Sequence, residues 1–304
     1  MMKIIAIIMP VYNHLECTRK CLERLRPMVT RTDFMNCRFS VVVVDDGSTD
    51  GTGDWLRKNH PDVSVLEGDG NLWWSGGVNM GAEYALGELK ADYLLLWNND
   101  VIPADDYFTE MDRLVGEIPV SVVAGSKIFE SGKKDLIWSC GGIFNARTGA
   151  FFMKGIGQPD SEEFCRPMEV DWLPGMGTLI PAGVIERIGL WDTGSFPQYH
   201  GDSDFTFRAK KAGFEITVFP QLVLANDQSS SGLTHGGTLK GLYRALTSIR
   251  SNTRIKTSFR FYRKHAESPL AYRTLLYSYF RLFGGFIKWK ILPLVGIHKK
   301  QEYD

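Results

Sequence analysis

Paired cysteines, an uninterrupted membrane-length apolar run and a net charge of either sign are all missing from this 304-residue chain. The five cysteines (Cys17, Cys21, Cys37, Cys140, Cys165) are odd in number, irregular in spacing and form no C-x-x-C pair. That excludes a disulfide framework or a zinc ribbon and points to a reducing compartment, the cytoplasm. Cys17 and Cys21 share one face of a helix, a spacing that suits core packing. The longest apolar stretch, Leu275–Ile297, is broken by Arg281, Lys288 and Lys290, so no transmembrane helix is expected. The apolar start Ile4–Met9 is too short for a signal peptide and reads as a first strand. No G-x-G-x-x-G or G-x-x-x-x-G-K-[ST] pattern is present, which removes the common dinucleotide and P-loop readings.

The zero net charge hides an asymmetry. From Lys240 to Asp304 there are 14 Lys/Arg against three acids, about +11, so the first 239 residues carry about −11. A basic, surface-binding end on a separate body is the expectation.

The body is organised around Tyr93–Asp100, Tyr-Leu-Leu-Leu-Trp-Asn-Asn-Asp. An apolar run of this length predicts a strand buried on both faces, ending abruptly on two amides and a carboxylate. Ligands of open α/β sheets bind beyond the carboxyl ends of the strands, where a carboxylate can hold a divalent cation against phosphate. Other segments repeat the plan. Ile4–Met9 runs into Pro10-Val11-Tyr12-Asn13, and Phe39–Val44 into Asp45-Asp46-Gly47-Ser48-Thr49-Asp50, where Ser48 or Asp50 would cap the next helix. Val63–Glu67 leads into a glycine-dense loop over 68–81, with a helix expected from Ala82 to Leu89. Alternating strands and helices imply a parallel sheet with right-handed crossovers.

Beyond residue 104 the regularity loosens. Ser121–Phe129 reads as a strand, Leu136–Phe152 as one or two glycine-rich strands, and Gln158–Pro167 as a polar loop. Val170–Ile180 is a tight turn feeding a strand, and Phe196–Phe205 opens a helix with Asp202 and Asp204 in its first turn, where helix capping alone would favour acids.

The ordered set of these turns resembles the family 2 glycosyltransferases. It comprises Pro10–Asn13, Val44–Thr52, Asn71–Gly81, Asn98-Asn99-Asp100, Trp172–Gly177 and Gly201–Asp204 with Arg208, and spans residues 3 to about 225. The resemblance implies an α/β GT-A fold: a single Rossmann-like, mostly parallel sheet flanked by helices, with a C-terminal helical extension. It implies a GT-A domain over 1–235, nucleotide-binding in about 1–103 and acceptor-binding and catalytic in 104–235, then a basic aromatic helical extension over 236–304. Pro10, Val11, Tyr12 and Asp46 would contact the nucleobase of a UDP- or dTDP-linked sugar. Asn71, Asn79, Asn98 and Asn99 would complete the donor site. Asp100 would ligate Mg2+ or Mn2+ against the diphosphate, with Asp227 or His235 as a further ligand. Asp202 would be the general base of an inverting transfer, and Trp172, Gly175, Met176 and Asp204 would face the acceptor, a glycan or lipid-linked oligosaccharide of surface-polysaccharide assembly. Two positions depart from the family pattern: Asn98 stands at the first Asp of its D-x-D motif, and Gly201 replaces the Glu before Asp202.

Of the other aromatics, Trp191 suits packing, while Trp73 and Trp74 would wall the donor loop. The tail reads equally as a membrane-interface helix on the inner face of the membrane or as helices packed on the body, and a homodimer contact is open too. No nucleic-acid motif accompanies its charge. A sugar nucleotidyltransferase would need a basic, glycine-rich loop where Pro10–Asn13 stands. A non-catalytic nucleotide-sugar-binding subunit remains the rival, encouraged by Asn98 and Gly201.

Overall fold

A computed structural model of the chain describes residues 2–133, 135–227 and 238–294. In chain order the elements are β1 (Lys3–Val11), α1 (Leu15–Val29), β2 (Cys37–Asp45), α2 (Thr52–Asn59), β3 (Ser64–Glu67), α3 (Trp73–Gly87), β4 (Tyr93–Leu96), β5 (Val101–Pro103) and α4 (Tyr107–Glu117). Then follow β6 (Val122–Glu130), β7 (Ile137–Ser139), β8 (Gly142–Phe144), β9 (Phe151–Met153), β10 (Met168–Glu169), β11 (Thr178–Pro181), α5 (Ala182–Ile188), α6 (Gly201–Lys211) and β12 (Glu215–Asn226). Three helices end the described chain: α7 (Leu239–Thr247), α8 (Ile255–His265) and α9 (Pro269–Leu294).

A ten-stranded sheet runs β10-β12-β6-β11-β4-β1-β2-β3, with β5 on β12 and β7 on β6. The longest pairings, β1 with β2 and β12 with β6, are parallel, as are β1 with β4 and β2 with β3. β11 runs antiparallel to both β4 and β6 and so joins two parallel blocks. The apolar runs that predicted strands buried on both faces are buried so: Ile5, Ile7 and Met9 enter one apolar cluster and Ala6 and Ile8 the other. Because β1, β2, β3 and β4 are mutually parallel, their carboxyl ends share one edge of the sheet.

The glycine-dense stretch corrects one expectation. It is no loop beyond Leu72; α3 begins at Trp73 and carries Gly76, Gly77 and Gly81 on its buried side. Glycine is a poor helix former, but a Cβ at Gly81 would sit 2.5 Å from Ile8 Cγ2, and one at Gly77 2.9 Å from Pro10 Cβ. The missing side chains let α3 lie directly on β1, and the gain from that close packing outweighs intrinsic propensity.

Asp112 on α4 anchors the start of β2. Its carboxylate accepts from the backbone N–H groups of Met35 (3.0 Å), Asn36 (2.9 Å) and Cys37 (2.8 Å), and from Cys37 Sγ at 3.3 Å. Burial pushes this carboxyl up, but the donors together outweigh it and hold it below the ordinary carboxylate range. Its contribution to stability is therefore full above the unfolded-chain value, about 3.9, and is lost as pH falls through the lower folded value. Asp112→Ala, which strands three N–H donors, should cost about 2–4 kcal/mol at neutral pH. Urea unfolding of both proteins at pH 7 and near pH 3 checks this; a difference that does not shrink in acid would remove the carboxylate from the account.

The chain divides into two compact units, Met1–Ile143 with Phe152–Ser231, and Phe144–Phe151 with Gly232–Asp304. In the second, Phe261 meets Phe144 and Phe151 edge-on at 5.1 and 5.4 Å, and Tyr262 Oη donates to Gly149 O at 2.6 Å. Among the described residues no helix is long and apolar enough to cross a membrane.

Candidate active site

The carboxyl ends of β1 and β2 are tied into one rim. Asp46 N donates to Val11 O at 2.9 Å, Asn13 N to Ser48 Oγ at 2.7 Å, and Thr49 N to Asn13 Oδ1 at 2.9 Å. Asp50 accepts from the N–H groups of Leu15 (2.9 Å) and Thr52 (3.1 Å), so one carboxylate steadies the first turns of both α1 and α2. Ser48 takes no part in that cap. Asn13 and His14 hold positive φ angles of 56° and 60°, which reverse the chain sharply between β1 and α1. Pro10 pairs with Val44 in the sheet, Val11 is buried, and Tyr12 stands exposed on the rim.

Asp46 is itself engaged. Oδ1 accepts from Gly70 N (2.8 Å) and Leu72 N (3.2 Å), and Oδ2 from Trp73 N (3.0 Å). The carboxylate thus folds the 68–72 loop over the rim and satisfies an N–H at the start of α3, where negative charge is favoured. Asn71 is exposed on that loop.

Beyond β4, three consecutive polar residues diverge. Asn98 Oδ1 accepts from Trp74 Nε1 at 3.2 Å. Asn99 turns the other way, donating from Nδ2 to Thr18 Oγ1 at 3.0 Å, so its side chain braces α1. Asp100 has a buried Oδ1 with no hydrogen-bond partner, and burial above all, then the nearby Asp227, raises its carboxyl. The two are joined at the backbone, Asp227 N donating to Asp100 O at 3.0 Å. An unsatisfied buried carboxylate oxygen beside a second carboxylate is an arrangement a hard divalent cation would relieve. Among the described residues no group of three or more His, Cys, Asp or Glu is placed to hold a metal, and His235 lies outside them.

Asp202 fastens the turn around Gly175 to the start of α6. Gly175 N donates to Asp202 Oδ2 at 3.0 Å and Ser203 N to Oδ1 at 2.8 Å. Burial raises this carboxyl, and the Ser203 and Gly175 donors only partly offset it. Tyr199 is raised too, first by burial and then by Asp202 beside it. Trp74 closes the arrangement. Its backbone N–H donates to Gln198 Oε1 at 3.1 Å, and its ring lies so tightly on Gly175 that a Cβ there would enter the indole. One side chain thus spans Asn98 at the end of β4 and the turn that holds Asp202. Gln198 and Trp74 in this bridging role went unread in the sequence, because their partners lie 124 and 24 residues away and no local pattern marks such pairs.

Several expected site residues are committed elsewhere. Asn79 lies on α3, not in a loop: Nδ2 donates to Trp191 O and Oδ1 accepts from Trp191 N, both at 2.9 Å. Asp204 is fully buried and accepts from Arg208 Nε at 3.0 Å, while Arg208 also donates to Ile188 O and Leu190 O. That pair fastens α6 to the segment after α5 and leaves Asp204 no acceptor face. Trp172 is 6% exposed and lies flat where a Cβ on Gly142 would be, so it packs the interior. Met176 is likewise buried in the core. Trp191 stacks on Phe205 at 3.9 Å and 9°, the packing role expected of it.

The sequence profile described as Glycosyl transferase family 2 matches residues 6–173, more than half the chain. The chain belongs to glycosyl transferase family 2. Within the family it is 27% identical over 186 residues to the low-salt glycan biosynthesis hexosyltransferase Agl10 of Haloferax volcanii, covering 58% of this chain and 54% of that protein. It is 27% identical over 242 residues to the undecaprenyl-phosphate mannosyltransferase of Micrococcus luteus, covering 77% and 89%. The chain thus spans about half the length of Agl10. Among solved structures it resembles the Pyrobaculum calidifontis mannosyltransferase PcManGT in complex with GDP-Man and Mn2+, with TM-score 0.56, 17% identity and coverage of 90% and 68%. It also resembles GalNAc-T7 with UDP, GalNAc and Mn2+, with TM-score 0.57, 10% identity and coverage of 91% and 57%. At those identities the likeness establishes the fold, and it is the GT-A fold that the motifs implied.

Proposed function

We propose that the chain is an inverting glycosyltransferase that moves a sugar from a nucleoside-diphosphate donor to a hydroxyl of a glycan or lipid-linked acceptor. The observation that carries this reading is Asp202: a half-buried carboxyl, raised by loss of solvation, held at a helix start by two backbone donors and linked through Trp74 to the end of β4. A carboxylate so held takes the proton from the acceptor hydroxyl as its oxygen attacks the anomeric carbon. The bond from that carbon to the diphosphate breaks with its electron pair leaving on the nucleoside diphosphate, which inverts the configuration. Asp100 and Asp227 would hold Mg2+ or Mn2+, which when bound supplies positive charge against the departing diphosphate. Pro10, Val11, Tyr12 and the Asp46-braced loop with Asn71 line the rim on the nucleobase side, and Asn98 is oriented by Trp74 for the ribose. The donor is UDP- or dTDP-linked in this reading, and the acceptor is met on the cytoplasmic side of a membrane, through a peripheral contact of the helical extension.

A thermal-shift screen of UDP, dTDP and GDP with and without Mn2+ tests the donor site, since binding to the folded state raises apparent stability. One nucleotide should give a Mn2+-dependent shift. In Asp100→Ala the Mn2+-dependent part of its affinity should fall about tenfold or more, with metal-free affinity unchanged. Binding with neither transfer nor donor hydrolysis would instead mark a non-catalytic nucleotide-sugar-binding subunit. No Mn2+ effect in either protein would remove Asp100 as a ligand.

A further inference from the structure

The long helix α9 is apolar on two sides. Its inner side is Ala271, Leu275 and Phe286, all buried. Its outer side is Leu276, Phe280, Phe283 and Ile287, which are 57%, 73%, 40% and 55% exposed. Those four positions follow helical spacing and fall on one narrow stripe. A helix that only packs within a folded unit needs a single apolar stripe, so the second is unexplained by folding. Exposed Arg273, Arg281 and Lys288 flank it. From 238 to 294 the sequence holds 12 Lys/Arg against Glu267 alone.

We infer that the outer stripe of α9 is a docking surface for a membrane bearing anionic lipid, the helix lying in the interface with its aromatic side chains inserted. Apolar insertion and cation attraction to lipid phosphates act together at such a helix. Two copies of this face would bring like charges together with no acid on α9 to offset them, which disfavours a homodimer through it. The apolarity falls short of a spanning helix, consistent with a helix that lies in the surface plane. This inference deepens the proposed peripheral contact and rests on that reading. Its test uses neither donor nor acceptor, so its failure would leave the transferase reading standing.

The full chain is sedimented with vesicles of phosphatidylcholine alone and with about one-third phosphatidylglycerol. Binding should require the phosphatidylglycerol and weaken as salt rises. Phe280→Ser with Phe283→Ser, and separately Arg273→Glu with Arg281→Glu, should each lower the partition coefficient about tenfold or more. These side chains are exposed, and the melting temperature of each variant in the absence of ligand should match the parent's, which shows the variants folded. The proposal is overturned by three results: no binding to the anionic vesicles, equal binding by the Phe280/Phe283 variant, or a dimer in light scattering that this variant dissolves, which would assign the stripe to a second copy.

Discussion

Asp202→Asn is expected to lower the rate of sugar transfer about 10²–10⁴-fold while leaving donor affinity within about twofold. The amide keeps the size of the carboxylate and one acceptor oxygen for Gly175 N–H or Ser203 N–H, so the turn survives, but it cannot take a proton from the acceptor. The loss therefore falls on kcat, and KM for the donor moves little. The wild-type profile adds a second signature. In the proposed role Asp202 works only when deprotonated, and burial holds this carboxyl above the ordinary range. Transfer should thus rise with pH through a limb lying above about 4, the usual carboxylate value. In Asp202→Asn the residual rate should lose that limb. A variant that transfers at the wild-type rate, or keeps the same limb, would show that another group is the base.

How far the sequence could be read depended on how local the determinants are. Uninterrupted β-branched and aliphatic runs locate β1, β2 and β4, and the polar turns after them mark the edge where these strands end together, because burial and turn chemistry are written into neighbouring residues. The start of α3 was not legible: glycine's propensity argues for a loop, and only contact with Ile8 and Pro10, more than 60 residues earlier, makes those glycines helical. The same limit governs the site. Asn79, Asn99 and Asp204 have the chemistry of ligand contacts, but each finds an internal partner: Trp191, Thr18 and Arg208. Conversely Trp74 looked like a wall for the donor loop and is instead the brace between Asn98 and the Asp202 turn. Residue type announces what a side chain can do, and packing decides which of them remain at liberty to do it.

The departure at Gly201 follows from that packing and predicts its own irreversibility. A Cβ on Gly201 would run into Ser75 Oγ and come within 3.2 Å of Phe196 O. Ser75 Oγ is not a mobile tip: it is buried and donates to Phe196 O at 2.6 Å. Gly201→Ala must break that hydrogen bond or displace the first turn of α6, at about 1–3 kcal/mol. Gly201→Glu, which installs the family's residue, adds a charge with no room and should cost more. In a unit of this size each kcal/mol lowers the melting temperature by about 2–4 °C, a shift calorimetry resolves. Ser75→Gly combined with Gly201→Ala should recover part of the loss, because the collision is removed although the bond to Phe196 O is gone. Failure to recover would place the strain at Phe196 O and Trp74 instead. Because α6 presents Asp202 one residue later, even the folded fraction of Gly201→Glu should transfer more slowly than wild type. If Gly201→Glu were as stable and as fast as the parent, the tight seat of α6 against Ser75 would not be what fixes Asp202, and that carboxylate would have to be held by Gly175 and Ser203 alone.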